Sequence, residues 1–185
     1  MAPVPFLALG LAAGVFGSFV WAVRGHFTSA HTPPGMWVVS GLSAAGFGFY
    51  AVALFDRPHP SGLILCGMAL QGAAMTLFVW AIRATRTKGL ALAFDPCAPA
   101  LLVQSGPYRY LRHPFYSSYL LFWGATIVQT RVIAVMICVA ALAVLYGIAT
   151  VIEERGYARS MLAAEYQSYK TRTGRFLPKL TGAQP

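Results

Sequence analysis

Five residues whose side chains could do chemistry fall into two short segments of this 185-residue chain. Arg112, His113 and Tyr116 lie in the first segment, and Glu153 and Glu154 form the second. Adjacent carboxylates at the end of an apolar stretch call for a cationic partner, because burying them unpaired is costly. That partner is either a neighbouring arginine or a bound ligand. These residue types therefore favour the binding of a small charged molecule.

The first segment predicts a helix start that places two of these residues together. Pro114 biases His113 away from the α-helical region and suits the first turn of a helix. His113 and Tyr116 then lie three positions apart and share one side of that helix. Basic residues and tyrosines also gather at any cytoplasmic membrane interface, so Arg109 and Arg112 have a purely structural interpretation as well.

The glutamate pair is expected at the C-terminal end of a helix, where the macrodipole disfavours carboxylates. Arg109, Arg112 and Arg155 are the candidate cationic partners. A structural network of these side chains and a bound cationic ligand are both compatible with the pattern.

The elements that position these residues are expected to lie in a membrane. The chain is 57% hydrophobic and 10% charged, with a mean hydropathy of +0.61, whereas soluble domains carry about 25% charged residues. The net charge of +9 follows membrane topology, so we expect no nucleic-acid partner. Three cysteines without a C-x-x-C spacing predict neither a disulfide framework nor a metal site.

Apolar runs of about 20 residues can cross a bilayer core, and the sequence predicts five. We therefore expect a single all-α, polytopic membrane domain over residues 1–185. Its C-terminal part is expected to form a cytoplasmic amphipathic helix on the membrane surface, with Leu162, Tyr166 and Tyr169 three or four residues apart. The expected spans are Val4–Val23, Gly35–Phe55, Ser61–Ile82, Phe115–Gln129 and Val132–Ile152.

The basic residues predict the orientation of these spans. With the C-terminus cytoplasmic and the N-terminus outside, 12 of the 14 lysines and arginines lie on the cytoplasmic side, as the positive-inside rule requires. Only Arg57 and Arg131 lie on the other side.

Small and polar residues within the spans predict helix packing. Gly10 and Gly14, and likewise Ser40, Ala44 and Gly48, repeat at four and are expected to let helices approach closely. Gln71, in the middle of the third span, is expected to form a hydrogen bond to another helix. The connection at 83–104 contains an apolar stretch, 90–94, that is expected to dip into the membrane interface.

The run from Gly106 to Tyr116 resembles the R-H-P-x-Y signature of the isoprenylcysteine carboxyl methyltransferase and phospholipid methyltransferase superfamily. The pair Glu153-Glu154 follows about 37 residues later, as in that superfamily. The end of the chain is similar to the closing Y-x-x-Y and R-F-x-P patterns, at Tyr166 to Tyr169 and at 175–178.

The resemblance covers roughly residues 100–178, which we expect to form the cofactor-binding core, whereas the three-helix part at 1–82 carries no recognisable signature. Two positions depart from the superfamily pattern, because Ser118 and Ala163 stand where it often has glycine.

The resemblance implies a membrane-embedded methyltransferase that uses S-adenosylmethionine and a lipophilic acceptor, with membrane lipids around it. Arg112 would steer an anionic acceptor group, and a glutamate would take the proton of an amine acceptor. The implied cofactor-binding residues are Tyr108, Arg109, His113, Tyr116, Glu153 and Glu154, and the implied catalytic residues are Arg112, Glu153 and Glu154.

Two other functions remain open from the sequence. Membrane sterol reductases that bind NADPH have a similar terminal architecture, although a 2′-phosphate favours a more basic pocket than one with a glutamate pair. A non-catalytic helical membrane protein is the other alternative. The methyl acceptor is not determined: a prenylcysteine-like carboxylate, a phospholipid amine, a small thiol and another isoprenoid lipid all fit.

Overall fold

The structure is a computed structural model that describes residues 3–26, 32–86 and 101–179. α-Helices make up most of this part of the chain. Within that part there is no strand, and a single parallel bridge joins Leu111 to Gly174. The all-α prediction is confirmed. The helices are α1 (Val4–Gly25), α2 (Pro34–Asp56), α3 (Ser61–Thr85), α4 (Pro114–Thr130), α5 (Ile133–Ala158) and α6 (Ala163–Arg172), with a 3-10 helix at Gly106–Arg109 before α4.

Four of these helices, α1, α2, α3 and α5, are long and apolar enough to cross a membrane. The prediction of a polytopic helical membrane protein is therefore confirmed. The fifth expected span is α4, which has 17 residues. At about 1.5 Å per residue it is roughly 25 Å long, at the lower end of the lengths that span a bilayer.

Successive helices run in opposite directions. The ring of His26 after α1 lies 2.9 Å from the hydroxyl of Thr85 at the end of α3, so these two helices end on the same side of the bundle. Gln129 near the end of α4 donates to the carbonyl of Ile64 near the start of α3, so α4 runs antiparallel to α3. The segment with His113 and the segment with the glutamate pair consequently lie at the same end of the bundle, where α4 begins and α5 ends.

Amide side chains link α3 and α4 inside the bundle. The Nε2 of Gln71 donates to the Oε1 of Gln129 over 3.2 Å, and both side chains are fully buried. The predicted interhelical hydrogen bond of Gln71 is confirmed. A Cβ at Gly67 would lie 2.2 Å from the Cγ of Gln129, so glycine is required for this close approach of α3 to α4.

The expectation that the small-residue repeats pack helices together within the chain is wrong. Gly10, Gly14, Ser40, Ala44 and Gly48 are exposed, and a Cβ at any of the three glycines would meet no atom within 4 Å. Helices α1 and α2 instead bury other faces. These faces include Ala12, Phe19, Gly46 and Tyr50.

The C-terminal elements differ from the expected ones in their bounds and packing. Helix α5 continues to Ala158, so the glutamate pair lies about one turn before the end of the helix instead of at its end. The expected amphipathic helix exists as α6, and its tyrosines Tyr166 and Tyr169 are buried against the protein. The stretch 90–94, expected at the membrane interface, lies outside the described residues.

Candidate functional site

The start of α4 brings His113 and Tyr116 to the glutamate pair. His113 is the N-cap residue of the helix, with φ −127° and ψ 63°, and Pro114 follows at the first helical position. A backbone outside the α-helical region is expected for a residue before proline. The Nδ1 of His113 lies 3.4 Å from Glu153 and its Nε2 lies 3.4 Å from Glu154. The Tyr116 hydroxyl donates to Glu153 over 2.5 Å. The structure thus joins the two segments that the sequence singled out.

Glu154 lies in a network of cations. Its oxygens are 3.0 Å from the Nε of Arg112, 2.7 Å from the Nη2 of Arg175 and 3.7 Å from the Nζ of Lys170. The Glu154 side chain is 7% exposed. These contacts provide the cationic partners that a carboxylate at this depth requires.

Glu153 has a different environment from its neighbour. Adjacent residues of a helix project about 100° apart, so Glu153 turns away from the cations around Glu154. Its side chain is 30% exposed, and its polar contacts among the described residues are with His113 and Tyr116. Glu153 therefore presents a partly open carboxylate that two neighbours hold in place.

The carboxylates also change the protonation of the residues around them. Burial by itself lowers the pKa of His113, but hydrogen bonds and charge from Glu153 and Glu154 outweigh burial and raise the pKa above its usual value. Burial, followed by the charge of Glu153, raises the pKa of Tyr108 well above its usual value. The site therefore favours a protonated His113 and a neutral Tyr108.

A segment of the C-terminal tail closes this end of the site. The backbone amides of Arg112 and His113 donate to the carbonyls of Gly174 and Arg175 over 2.8 and 3.2 Å. The Ser117 hydroxyl donates to the carbonyl of Phe176 over 2.8 Å. We call residues 174–176 the tail strap, and it holds Arg175 against Glu154.

The comparison with protein families decides the assignment. The sequence model of the phospholipid methyltransferase family matches residues 63–161, which is more than half of the chain. The chain belongs to the phospholipid methyltransferase family. No curated protein matches it. The matched region begins in α3 and ends just after α5, so in this phospholipid methyltransferase family member it includes both the His113 segment and the glutamate pair. Membership implies methyltransferase activity in a membrane.

Other residues that the sequence singled out in this family member take positions around the site. The Arg112 side chain is 8% exposed, and it donates through Nε to Glu154 and through Nη1 to the carbonyl of Thr173. Tyr108 is buried, and its carbonyl accepts a hydrogen bond from the Tyr169 hydroxyl over 2.7 Å. Arg109 and Arg155 are exposed, and neither forms an ion pair with the glutamates in the described part of the chain.

Several residues of the site were not predictable from the sequence of this family member. Arg175 and Lys170 were not expected as partners of Glu154, because they are two cations among many in a basic tail. Tyr119 and Tyr146 form an aromatic cluster with Tyr116, with ring centroids 5.5 to 6.2 Å apart. Tyr119 lies three residues after Tyr116 on α4, and Tyr146 lies on α5. Such a pattern indicates a site only weakly, because ordinary core packing also produces it.

Proposed function

We propose that this chain transfers a methyl group from S-adenosylmethionine to a lipophilic acceptor, and that Glu153 is the carboxylate that faces the cofactor. The observation that carries the proposal is the contrast within the glutamate pair. Glu154 is surrounded by cations of the chain itself, whereas Glu153 is partly exposed and its polar contacts within the described part of the chain are with His113 and Tyr116.

The residues present fit the chemistry of S-adenosylmethionine. The cofactor carries two cationic groups, and a partly desolvated carboxylate beside tyrosine rings favours such groups through charge and cation–π attraction. When bound, it supplies an electrophilic methyl group on a sulfonium, whose transfer to an acceptor nucleophile releases S-adenosylhomocysteine. Methyl transfer depends on alignment and exclusion of water, so no further group is required.

Each residue of the site has a separate role in this proposal. His113 and Tyr116 hold the Glu153 carboxylate in one orientation, and Arg112 acts as a positioning residue through Glu154 and Thr173. Arg109, exposed at the end of the 3-10 helix, and Tyr108 remain proposed cofactor contacts. If the acceptor is an amine, Glu153 accepts its proton, because Glu154 is occupied by Arg112, Lys170 and Arg175.

Isothermal titration of the detergent-solubilised protein with S-adenosylhomocysteine tests this proposal. Glu153→Gln keeps the size of the side chain and removes its charge. We expect it to weaken binding at least about tenfold, a loss of about 1.4 kcal/mol, in a protein that remains folded. Glu165→Gln is the matched control, because Glu165 lies on α6 and its hydrogen bond is to Gln104.

Two results would overturn the proposal. The first is wild-type affinity for S-adenosylhomocysteine in Glu153→Gln, which would remove Glu153 from the cofactor site. The second is a folded protein that binds NADPH, titrated in parallel, and does not bind S-adenosylhomocysteine. That result would favour the reductase alternative.

A further inference from the structure

A cavity lies on one face of α5, away from Glu153. It has a volume of about 180 Å³ and lies between the last turns of α5 and helix α6. Residues 151, 154, 155 and 158 of α5 line it, and these lie within about 100° of one another around the helix. Glu153 projects about 100° from Glu154 in the opposite sense. The cavity is thus separate from the face of α5 that the proposed methyl-transfer site uses.

The walls of this cavity carry more positive than negative charge. Three cations line it, Arg155, Lys170 and Arg175, against one carboxylate, Glu154. That carboxylate also binds Arg112, which lies outside the cavity. Tyr166 also lines the cavity, and its hydroxyl is buried beside the Glu154 carboxylate. Such a cavity favours an anion with several acceptor oxygens.

An exposed apolar stripe on α5 leads into the cavity. Ile137, Val144 and Ile148 are 64%, 62% and 47% exposed, and they lie on the same side of α5 as Arg155, at spacings of 7, 4 and 7 residues. In a membrane protein this stripe faces hydrocarbon. The cationic cavity therefore lies at the end of a lipid-facing surface, the position of a phospholipid headgroup relative to its acyl chains.

We propose that this cavity binds the phosphate of an anionic membrane phospholipid, whose acyl chain lies along Ile148 and Val144. The lipid is a bound partner and not the methyl acceptor, because its phosphate is on the face of α5 opposite to Glu153. A headgroup with net negative charge binds better than a zwitterionic one, since an added ammonium group would meet the excess cations. The site does not depend on the proposed cofactor, so each proposal can fail alone.

Thermal unfolding of the purified protein in a non-ionic detergent tests the site. Phosphatidylglycerol, phosphatidylcholine and inorganic phosphate are added in separate titrations. A ligand that binds only the folded state raises the unfolding temperature. We expect phosphatidylglycerol to raise it by at least about 3 °C more than phosphatidylcholine does. We also expect inorganic phosphate at the same concentration to have little effect.

A pair of double variants isolates the cavity from general electrostatics. Arg155→Gln with Lys170→Gln removes two cations from its wall, one on α5 and one on α6. Arg159→Gln with Arg172→Gln removes two exposed cations that follow α5 and end α6 without lining the cavity. Both double variants change the net charge of the protein by the same amount. We expect the first variant to lose the phosphatidylglycerol effect and the second to keep it.

Native mass spectrometry supplies a second readout that does not require the variants to match in stability. We expect wild-type protein to retain phosphatidylglycerol over phosphatidylcholine by about tenfold at equal concentration, equivalent to about 1.4 kcal/mol. Equal retention of the two lipids would overturn the proposal, as would equal stabilisation by inorganic phosphate. Displacement of the lipid by S-adenosylhomocysteine would also overturn it and assign the cavity to the cofactor.

Discussion

Two adjacent glutamates acquire different properties because a helix turns them toward different neighbours. Glu154 faces Arg112 and Arg175, and removing one partner of a buried charge network leaves the others uncompensated. Since Arg175 is 39% exposed, solvent reduces the cost. We expect Glu154→Gln to lower the free energy of unfolding by about 2 kcal/mol. Denaturant titration in mixed micelles measures this change.

Glu165→Gln is the control for that prediction, because it makes the same chemical change on the exposed surface of α6. Exposed substitutions usually change stability by less than about 0.5 kcal/mol. Equal stability of the Glu154→Gln and Glu165→Gln variants would show that the network around Glu154 does not stabilise the fold.

His113 makes stability depend on pH in a defined direction. Glu153 and Glu154 on α5 face its ring, and they raise its pKa in the folded state above the usual 6.5. The protonated form therefore stabilises the fold fully below about pH 6.5, and this contribution is lost as pH rises through the folded-state pKa. We expect the unfolding temperature to fall above about pH 6.5 in the wild type and to fall less in His113→Gln.

The matched control for this pH dependence is His59→Gln. His59 lies at the other end of the bundle, where its Nε2 is 2.8 Å from the carbonyl of Ala53. This variant should keep the wild-type slope of unfolding temperature against pH. A wild-type slope in His113→Gln would assign the pH dependence to another group.

The site residues show how far the sequence alone could go. His113, Tyr116 and the glutamate pair were predictable because a proline and a short spacing restrict His113 and Tyr116 to one side of a helix start. Arg175 was not, because nothing local indicates which cation of a basic tail reaches Glu154. Arg109 and Arg155 were plausible partners from their positions in the sequence, but both are exposed and neither pairs with the glutamates in the described part of the chain.

Among the elements, the tail strap determines whether the network around Glu154 can form. A Cβ at Gly174 would lie 1.8 Å from the carbonyl oxygen of Leu177, and a backbone atom cannot rotate away as a side chain can. We expect Gly174→Ala to displace Arg175 from Glu154 and to lower the free energy of unfolding by at least about 1 kcal/mol. Thermal unfolding and titration with S-adenosylhomocysteine would both register the change.

Gly147→Ala provides the comparison, because a Cβ at Gly147 in α5 would meet no atom within 4 Å. Alanine also favours a helix more than glycine does. If Gly174→Ala were as stable as Gly147→Ala and bound ligand as well, the tail strap would not position the site.

Helices that consist of long apolar runs were predictable from the sequence. Elements whose position depends on contacts between distant parts of the chain were not. Helices α1 to α4 lie within a few residues of the expected spans, because long apolar runs leave few alternatives in a membrane. The end of α5 was misplaced, since polar residues can continue a helix when other segments cover them. The single bridge between Leu111 and Gly174 depends on residues 63 positions apart, which no local pattern reveals.

For the whole molecule, the central question is whether α4 crosses the membrane. Phe115 at its start packs on Phe78 of α3 with ring centroids 5.7 Å apart, and Gln129 near its end reaches Ile64. Positions 64 and 78 of α3 are about 21 Å apart along the helix axis. Helix α4 therefore follows α3 through most of a bilayer core of about 30 Å. The division into a part at 1–82 and a core at 100–178 stays a prediction.

The distribution of charge then predicts the orientation. Every described lysine and arginine except Arg57 and Arg131 lies in or beside the elements at the end of the bundle that holds the glutamate pair. The positive-inside rule places that end in the cytoplasm. Because five spans put the two termini on opposite sides, the N-terminus is expected outside.

Cysteine labelling on either side of α4 tests both the crossing and the orientation. In a background with Cys66, Cys97 and Cys138 replaced by alanine, Arg131→Cys and Arg109→Cys each introduce one exposed thiol. We expect a membrane-impermeant maleimide to label Arg131→Cys in intact cells and Arg109→Cys only after permeabilisation. Labelling of both from one side would mean that α4 does not cross. The reverse pattern would keep five spans and invert the orientation, placing the glutamate pair away from the cytoplasmic supply of S-adenosylmethionine.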